Sequence, residues 1–142
     1  MLVLRSPEEM VPPDHPLQGV KRLADAALKE MSSRFDAMYA DSGRESVPPE
    51  TLLKGSLLIA LYSLRSERML CEQLGYNMLF RWFLDMDMTG TPFDHSTFSK
   101  NRERIMDHDV AREFFRRVVE QARHARLMSS EHFTVDGTLI EA

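Results

Sequence analysis

The sequence predicts a mainly α-helical domain of several helices with a helix-turn-helix-like element, ending in a short β-strand. Three observations support this fold class. Apolar residues recur at helical spacing over most of the chain. Prolines and glycines break that spacing at a few places, where we expect the helices to be separated. The spacing becomes alternating only near the end, where Phe133 and Val135 share one side and Thr134 and Asp136 the other.

At 142 residues the chain has about the length of one domain. Residues 1–128 are predicted to form the helical domain, whose first residues, with Pro12, Pro13 and Pro16, are predicted to be extended. Residues 129–142 are predicted to form the first strand of a further domain. The predicted helical segments are 17–31, a short turn ending near Gly43, a central helix opened by Pro48 and Pro49, a helix capped by Ser66 and ended by Gly75, 96–106 and 109–127. Between them, residues 78–86 are predicted to form a buried aromatic plug and residues 87–94 a loop.

Composition excludes several classes of protein. Apolar residues make up 43% and charged residues 28%, as in ordinary globular domains. Residues 52–64 form the most apolar helical stretch, but Lys54 and Ser56 interrupt it and it is too short to span a bilayer. Arg5, Glu8 and Glu9 interrupt the apolar start of the chain, where a signal peptide would need a longer uncharged core, so we expect a cytoplasmic protein with no membrane segment. The single cysteine, Cys71, allows no intrachain disulfide and is predicted to be a small buried hydrophobe.

Charge is unevenly distributed along the chain. The net charge is −4, yet residues 95–126 carry eight basic and five acidic residues. A polyanion is therefore expected to bind this segment.

The segment HSTFSKNRERI, residues 95–105, is a candidate recognition helix. Helical spacing places Thr97, Lys100, Asn101 and Arg104 on one side, away from Phe98. Lysine and arginine suit phosphates or guanine, asparagine suits adenine, and hydroxyls near a helix N-terminus suit phosphate. These four residues are the predicted contacts to double-stranded DNA. The alternative is a solvated face with no partner.

Asp136 has two interpretations. Asp-Gly between β-type residues is typical of a hairpin turn. A strand aspartate also offers a hard carboxylate for Mg²⁺, although Glu141 lies five positions on and would point to the opposite face of the strand. The residues alone favour the turn.

Four stretches together resemble the N-terminal domain of the DDE transposases of bacterial insertion sequences: VPPDHPL (11–17), ALYSLRSERMLCEQLGYNMLFRWFLDM (60–86), FDHSTFSKNRERI (93–105) and FTVDGTLIEA (133–142). The resemblance implies binding to the terminal inverted repeats of a mobile element, and cutting and strand transfer at its ends. It also implies that Asp136 is a catalytic residue, the first of three acidic Mg²⁺ ligands at the start of an RNase H-like domain.

The remaining two acidic ligands would lie further along, so we expect no cleavage or strand transfer from this chain alone. Two alternatives stay open. The chain could be a stand-alone DNA-binding regulator of transposition. It could instead be a helical oligomerisation module, in which residues 60–86 pair two chains as a homodimer.

Overall fold

A computed structural model of the protein describes residues 7–42, 47–87, 92–106 and 109–125. These residues are mainly helical, with no β-strand among them. The helices are α1 (Pro7–Met10), α2 (Pro16–Glu30), α3 (Ser32–Ser42), α4 (Pro49–Leu61), α5 (Glu67–Gln73), α6 (Met78–Phe83), α7 (His95–Met106) and α8 (Val110–His124). The predicted terminal strand within residues 129–142 lies outside the described residues.

Local signals explain where several helices begin. Pro16 is the first residue of α2, and the preceding His15 accepts a hydrogen bond through Nδ1 from the Leu17 N–H at 3.1 Å. Ser66 caps α5 as predicted, because its Oγ accepts from the Met69 N–H at 3.2 Å.

One N-terminal prediction was wrong, and another was correct in type but too short. The chain before Pro12 is not wholly extended, since Pro7 opens the short helix α1 with Glu8 and Glu9 in its first turn. The short turn of helix predicted to end near Gly43 does end there, at Ser42, but it is longer than expected, because α3 has eleven residues. Its Phe35 is buried, which adds packing energy that weak helical spacing alone does not reveal.

Helix α4 lies at the centre of the core, as its sequence predicts. Leu52, Leu53, Leu57 and Leu58 are all buried. Helices α5 and α7 pack against α4, α8 packs against α2, and α7 also contacts α8. The largest fully buried side chains come from the six helices α3 to α8 and the segments beside them: Phe35, Phe83, Phe98, Phe114, Met31, Leu52, Leu53, Leu58, Leu70, Leu74, Val47 and Val110.

The predicted aromatic plug is confirmed. Phe80, Trp82 and Phe83 of α6 are buried, and the arginine between them is buried as well. Arg81 donates from Nε to the Leu74 carbonyl at 2.5 Å and from Nη1 to the Asp87 carbonyl at 2.6 Å. A buried guanidinium that satisfies backbone carbonyls on both sides of α6 holds the helix in place.

Two lysines and two aspartates form a closed ring of ion pairs that joins α2, α4 and the turn after α6; we call it the ion ring. Lys21 Nζ lies 2.9 Å from Asp25 Oδ2 and 2.8 Å from Asp85 Oδ1. Lys54 Nζ lies 2.9 Å from Asp85 Oδ2 and also pairs with Asp25 Oδ1. The Lys54 side chain is only 4% exposed, so its charge needs both carboxylates.

The ion ring shifts the pKa values of two members in opposite directions. Burial alone would lower the pKa of Lys21, but hydrogen bonds to Asp85 and Asp25 outweigh it and raise the pKa above its ordinary value. Burial alone would raise the pKa of Asp85, but hydrogen bonds from Lys21 and Lys54 outweigh it and lower the pKa. Both shifts favour the charged forms, so the ring stabilises the fold at neutral pH.

Two predictions from composition can be compared with the described residues. Cys71 is buried as predicted, and burial, followed by the charges of Glu67 and Asp94, raises its pKa to about 11. The thiol is therefore neutral at physiological pH. Across the described ranges, the helices lack the combination of length and apolar character that would let one cross a bilayer.

Candidate nucleic-acid interface

Helix α7 carries the predicted DNA contacts, and its position is set by a cap and a buried ring. Asp94 caps the helix, because its Oδ1 accepts from the Thr97 N–H at 2.8 Å. That hydrogen bond, with one from the Thr97 side chain, lowers the pKa of Asp94. Phe98 is fully buried, and Phe93 stacks on its ring with the centroids 5.7 Å apart.

A glycine lets α7 approach α4 closely. A Cβ atom added to Gly55 would lie 3.0 Å from Phe98 Cε2 and 3.1 Å from Leu70 Cδ2. Any side chain at this position would push against both the α7 ring and α5. The glycine therefore fixes how deeply Phe98 enters the core, and with it the orientation of the remaining α7 side chains.

The four predicted DNA contacts do not share one environment. Lys100 is exposed and has no ion pair within the part of the chain that is described. Thr97 is half-buried. Asn101 is 5% exposed, and its Nδ2 donates to the Thr97 carbonyl at 2.7 Å. Arg104 belongs to α7, but its side chain lies outside the described residues.

The position of Asn101 follows from helical geometry. It lies three residues after Phe98, which puts it at the edge of the side that Phe98 buries. Its amide therefore bonds within the helix in this conformation and does not face solvent. We call the side that carries Lys100 and Thr97 the outer face of α7.

A groove of about 920 Å³ lies on the other side of α7. Its lining residues come from α4, the α4–α5 connection, α5, α7 and α8: Leu52, Leu53, Ser56, Ile59, Arg65, Ser66, Glu67, Arg68, His95, Ser99, Arg102, Ala111, Arg112 and Phe115. Lys100 and Arg102 are two residues apart, which turns their side chains about 160° from each other. Helix α7 thus separates the outer face from the groove.

The groove is basic. Four of its lining residues are arginines, Arg65, Arg68, Arg102 and Arg112, and Glu67 is the one carboxylate among the described lining residues. The four arginines come from four separate elements of the structure, and all four line the same groove. A groove with this excess of arginine is suited to bind an anion.

Glu67 is engaged by α7 within the groove. Its Oε2 accepts a hydrogen bond from Ser99 Oγ, and its Oε1 pairs with Arg102 Nε, although that contact lacks hydrogen-bond geometry. Arg68 lies beside α7 as well, with Nη2 3.2 Å from His95 Nε2. The charge of Arg102 is therefore partly compensated by Glu67, whereas the described polar contact of Arg68 is with a histidine and not with a carboxylate.

The two remaining arginines are the most available. Arg65 is exposed and makes no ion pair with any described residue. Arg112 is 84% exposed, and its Nε lies 3.6 Å from Asp109 Oδ1, a loose contact that water and salt weaken. An incoming anion would meet these two side chains without having to displace a close carboxylate.

Two further arginines of α8, Arg116 and Arg117, pair closely with carboxylates. Arg116 pairs with Glu113 and Glu120 at 2.7 Å each, and Arg117 pairs with Glu113 at 2.7 Å and with Glu30 at 2.6 Å. Hydrogen bonds from Arg116 and Arg117 lower the pKa of Glu113 to about 2. This part of the basic segment 95–126 is internally compensated, in contrast to the groove.

Sequence reasoning missed the groove arginines. The prediction rested on one helix, whereas Arg65, Arg68 and Arg112 lie on other elements. The available signal was the pair of arginines in LRSER, residues 64–68, a stretch that contributed to the family resemblance without a chemical role.

The described residues do not test the predicted metal site. No group of three or more histidine, cysteine, aspartate or glutamate side chains in that part of the chain is arranged to hold a metal ion. Asp136, the predicted catalytic residue and Mg²⁺ ligand, lies outside it.

Comparison with known proteins identifies the family. A family model described as Transposase domain (DUF772) matches residues 5–104, a range that runs from α1 into α7 and includes Arg65, Arg68 and Arg102. Comparisons with curated proteins and with solved structures give no significant match. Because the matched range covers more than half of the 142 residues, the chain belongs to the transposase domain family DUF772.

Proposed function

We propose that this chain binds double-stranded DNA at the terminal inverted repeats of an insertion sequence, as the helical part of a DDE transposase. The family assignment supports a role in transposition. The observation that carries the DNA-binding proposal is the outer face of α7, where Lys100 is exposed and has no ionic partner among the described residues. An unpaired lysine on an accessible helix is suited to a DNA phosphate.

The proposed docking uses α7 as the recognition helix of a helix-turn-helix-like arrangement. Helices α5 and α4 pack against α7 and leave its outer face accessible. Lys100 and Arg104 would contact phosphates or guanine, and Thr97 a phosphate near the start of the helix. Asn101 would read adenine only if its amide left the Thr97 carbonyl, so we assign it to positioning the helix in the present conformation.

The catalytic part of the proposal concerns Asp136. As the first acidic residue of an RNase H-like domain, it would supply one carboxylate to Mg²⁺. When bound, the metal would activate water or a 3′-hydroxyl as the nucleophile and stabilise charge on the scissile phosphate. Asp136 would act as a ligand and not as a nucleophile. The other ligands are not found among the described residues, where no candidate metal cluster exists.

Fluorescence anisotropy with labelled duplexes tests the DNA-binding proposal. The wild-type chain is expected to bind a duplex of the inverted repeat more tightly than a scrambled duplex of equal length and composition. Lys100→Ala should weaken binding to both and reduce the slope of log affinity against log salt by about one. Lys29→Ala, which removes an exposed lysine from α2, is the matched control.

Equal binding to the two duplexes would contradict recognition of the terminal repeats. An unchanged salt slope in Lys100→Ala would remove Lys100 from the interface. Asp136→Asn should leave this affinity unchanged in a Mg²⁺-free buffer, because the proposal separates DNA binding from metal binding.

One observation supports the alternative of a pairing module. Leu61, Tyr62 and Tyr76 are 46%, 41% and 71% exposed, although the aromatic side chains of α6 in the same segment are buried. If these exposed residues paired two chains, light scattering should give twice the monomer mass, and Tyr76→Ser should reduce it. A monomer that binds the inverted repeat would favour the first proposal.

A further inference from the structure

The groove beside α7 combines two properties that a phosphate-binding surface does not need together. Four arginines line it, and Leu53, Ile59, Ala111 and Phe115 contribute apolar lining. A volume of about 920 Å³ is at the upper end of the roughly 300–1,000 Å³ of clefts that enclose small ligands. The groove therefore has room for a slender ligand with both anionic and apolar parts.

The apolar lining distinguishes among forms of DNA. A duplex stacks its bases inside the helix and presents mainly its charged backbone, which would gain little from Phe115. A single strand exposes the flat faces of its bases as well as its phosphates. Proteins that bind single strands combine a basic channel with aromatic side chains on which bases stack. Phe115 is half-buried and lines the groove, so part of its ring faces the enclosed volume.

The charges distinguish among the arginines. Arg65 has no ion pair among the described residues, Arg112 has only the loose 3.6 Å contact with Asp109, and Arg68 lies 3.2 Å from His95. Arg102 is partly neutralised by Glu67. The phosphates of a bound strand would therefore meet Arg65, Arg68 and Arg112 first, with Glu67 opposing them.

We infer that the groove formed by α4, α5, α7 and α8 binds single-stranded DNA, with Arg65, Arg68 and Arg112 at the phosphates and Phe115 against a base. This inference rests on the proposed function, because it assigns a second DNA form to a protein that acts on DNA. It places the duplex on the outer face of α7 and the unpaired strand on the opposite side. Glu67 limits the affinity of the groove for the strand.

Fluorescence anisotropy with a short labelled oligothymidine tests the inference in the full chain. The double variant Arg65→Ala/Arg68→Ala should lose about tenfold or more in affinity and show a smaller salt slope. Phe115→Leu keeps an apolar side chain against the core but removes the ring, and should weaken binding about fivefold or more. Lys29→Ala again serves as the control.

Glu67→Gln provides a gain of function, which misfolding cannot imitate. It removes the one carboxylate among the described lining residues and keeps an oxygen that can accept from Ser99 Oγ. The strand affinity should rise several-fold, and the salt slope should steepen by up to about 0.7, the value for one more phosphate contact with a single strand. Unchanged or weaker binding in Glu67→Gln would overturn the assigned charge balance.

Two further probes separate the outcomes. If inorganic tripolyphosphate at equal charge competes as well as oligothymidine, the groove is only a polyanion site and the inference is wrong. If the chain binds the inverted-repeat duplex but not the single strand, the inference fails while the proposed function stands. If it binds the single strand and no duplex, the proposed function fails and the groove assignment remains.

Discussion

The ion ring and the groove both contain several cationic side chains, yet their charge balance differs. In the ring, Lys21 and Lys54 share two carboxylates, and each lysine contacts both of them. Four arginines line the groove, where Glu67 is the one carboxylate among the described lining residues and pairs with Arg102 alone. Compensated charge inside a domain contributes to the fold, whereas uncompensated charge around an open volume is available to an external anion. The balance of charge, more than the number of cations, separates structural from functional sites here.

The same contrast appears between two arginines that the family resemblance brought together. Arg81, in NMLFRWF, is buried and donates to the Leu74 and Asp87 carbonyls. Arg65, in LRSER, is exposed at the groove. The stretch of residues 60–86, which contributes to the resemblance, therefore contains both packing residues and candidate binding residues. Only the three-dimensional contacts tell them apart.

The largest expected loss of stability follows from disturbing the packing of α7 on α4, the helix that contributes to both the ion ring and the groove. Helix α4 carries Lys54 of the ion ring, and its neighbour Gly55 faces Phe98 of α7. Phe98→Ala should lower the free energy of unfolding by about 3–5 kcal/mol, because it leaves a cavity in the core. It should also weaken DNA binding, since the ring positions α7. Urea unfolding and anisotropy on the same preparation measure both effects.

Phe98→Leu is the matched variant for this prediction. It keeps most of the buried volume and should cost less than about 1.5 kcal/mol, with DNA binding retained. A Phe98→Ala protein with wild-type stability would contradict the packing of α7 on α4.

A smaller loss of stability is expected in the ion ring. Lys54→Ala leaves Asp25 and Asp85 without their buried partner. The loss should be about 2–3 kcal/mol, below the roughly 3–5 kcal/mol for a fully buried pair, because these carboxylates are 42% and 63% exposed and regain water. Urea unfolding of Lys54→Ala beside the exposed Lys29→Ala measures it. Equal stability of the two variants would show that the ring is not structural.

The ring and α8 also predict how stability depends on pH, with a smaller effect. The pKa of Asp85 is lowered in the fold, and that of Glu113 is about 2. As pH falls, a carboxyl group whose pKa is lower in the folded state becomes protonated in the unfolded chain before it does so in the folded chain. Its contribution is therefore complete above the ordinary carboxyl pKa of about 4 and is lost as pH falls towards 2.

Urea midpoints at a series of pH values between neutrality and about pH 3 check this prediction. Asp85→Asn and Glu113→Gln should each make the acid loss shallower, because each removes one group that titrates differently in the two states. A midpoint that rises as pH falls would reverse the assigned sign.

Much of the fold could be predicted because its signals are local. Helical spacing located α2, α4, α7 and α8, and side-chain caps located the start of α5. The ion ring could not be predicted, since Lys21, Lys54 and Asp85 are brought together by folding from positions more than thirty residues apart. The spacing of residues along the chain reports on neighbours within one element, whereas the contacts of the ion ring join separate elements.

The candidate site shows the same limit within a single helix. Helical spacing predicted that Asn101 shares a face with Lys100. Asn101 also lies three positions after Phe98, and because the Phe98 ring is buried, Asn101 is buried beside it. The four groove arginines come from separate elements, so no spacing rule connects them. The DNA contacts of Thr97, Lys100, Asn101 and Arg104 and the role of Asp136 remain predictions.

The smallest expected effect concerns the stability of the groove variants, and it sharpens the comparison most. Arg68→Ala removes an exposed side chain whose described polar contact is to His95 Nε2. Its unfolding free energy should change by no more than about 0.5 kcal/mol, as for other exposed positions. The relief of repulsion among the groove arginines can offset the lost contact. A loss comparable to that of Lys54→Ala in parallel urea titrations would make Arg68 structural and remove the distinction between compensated and uncompensated charge.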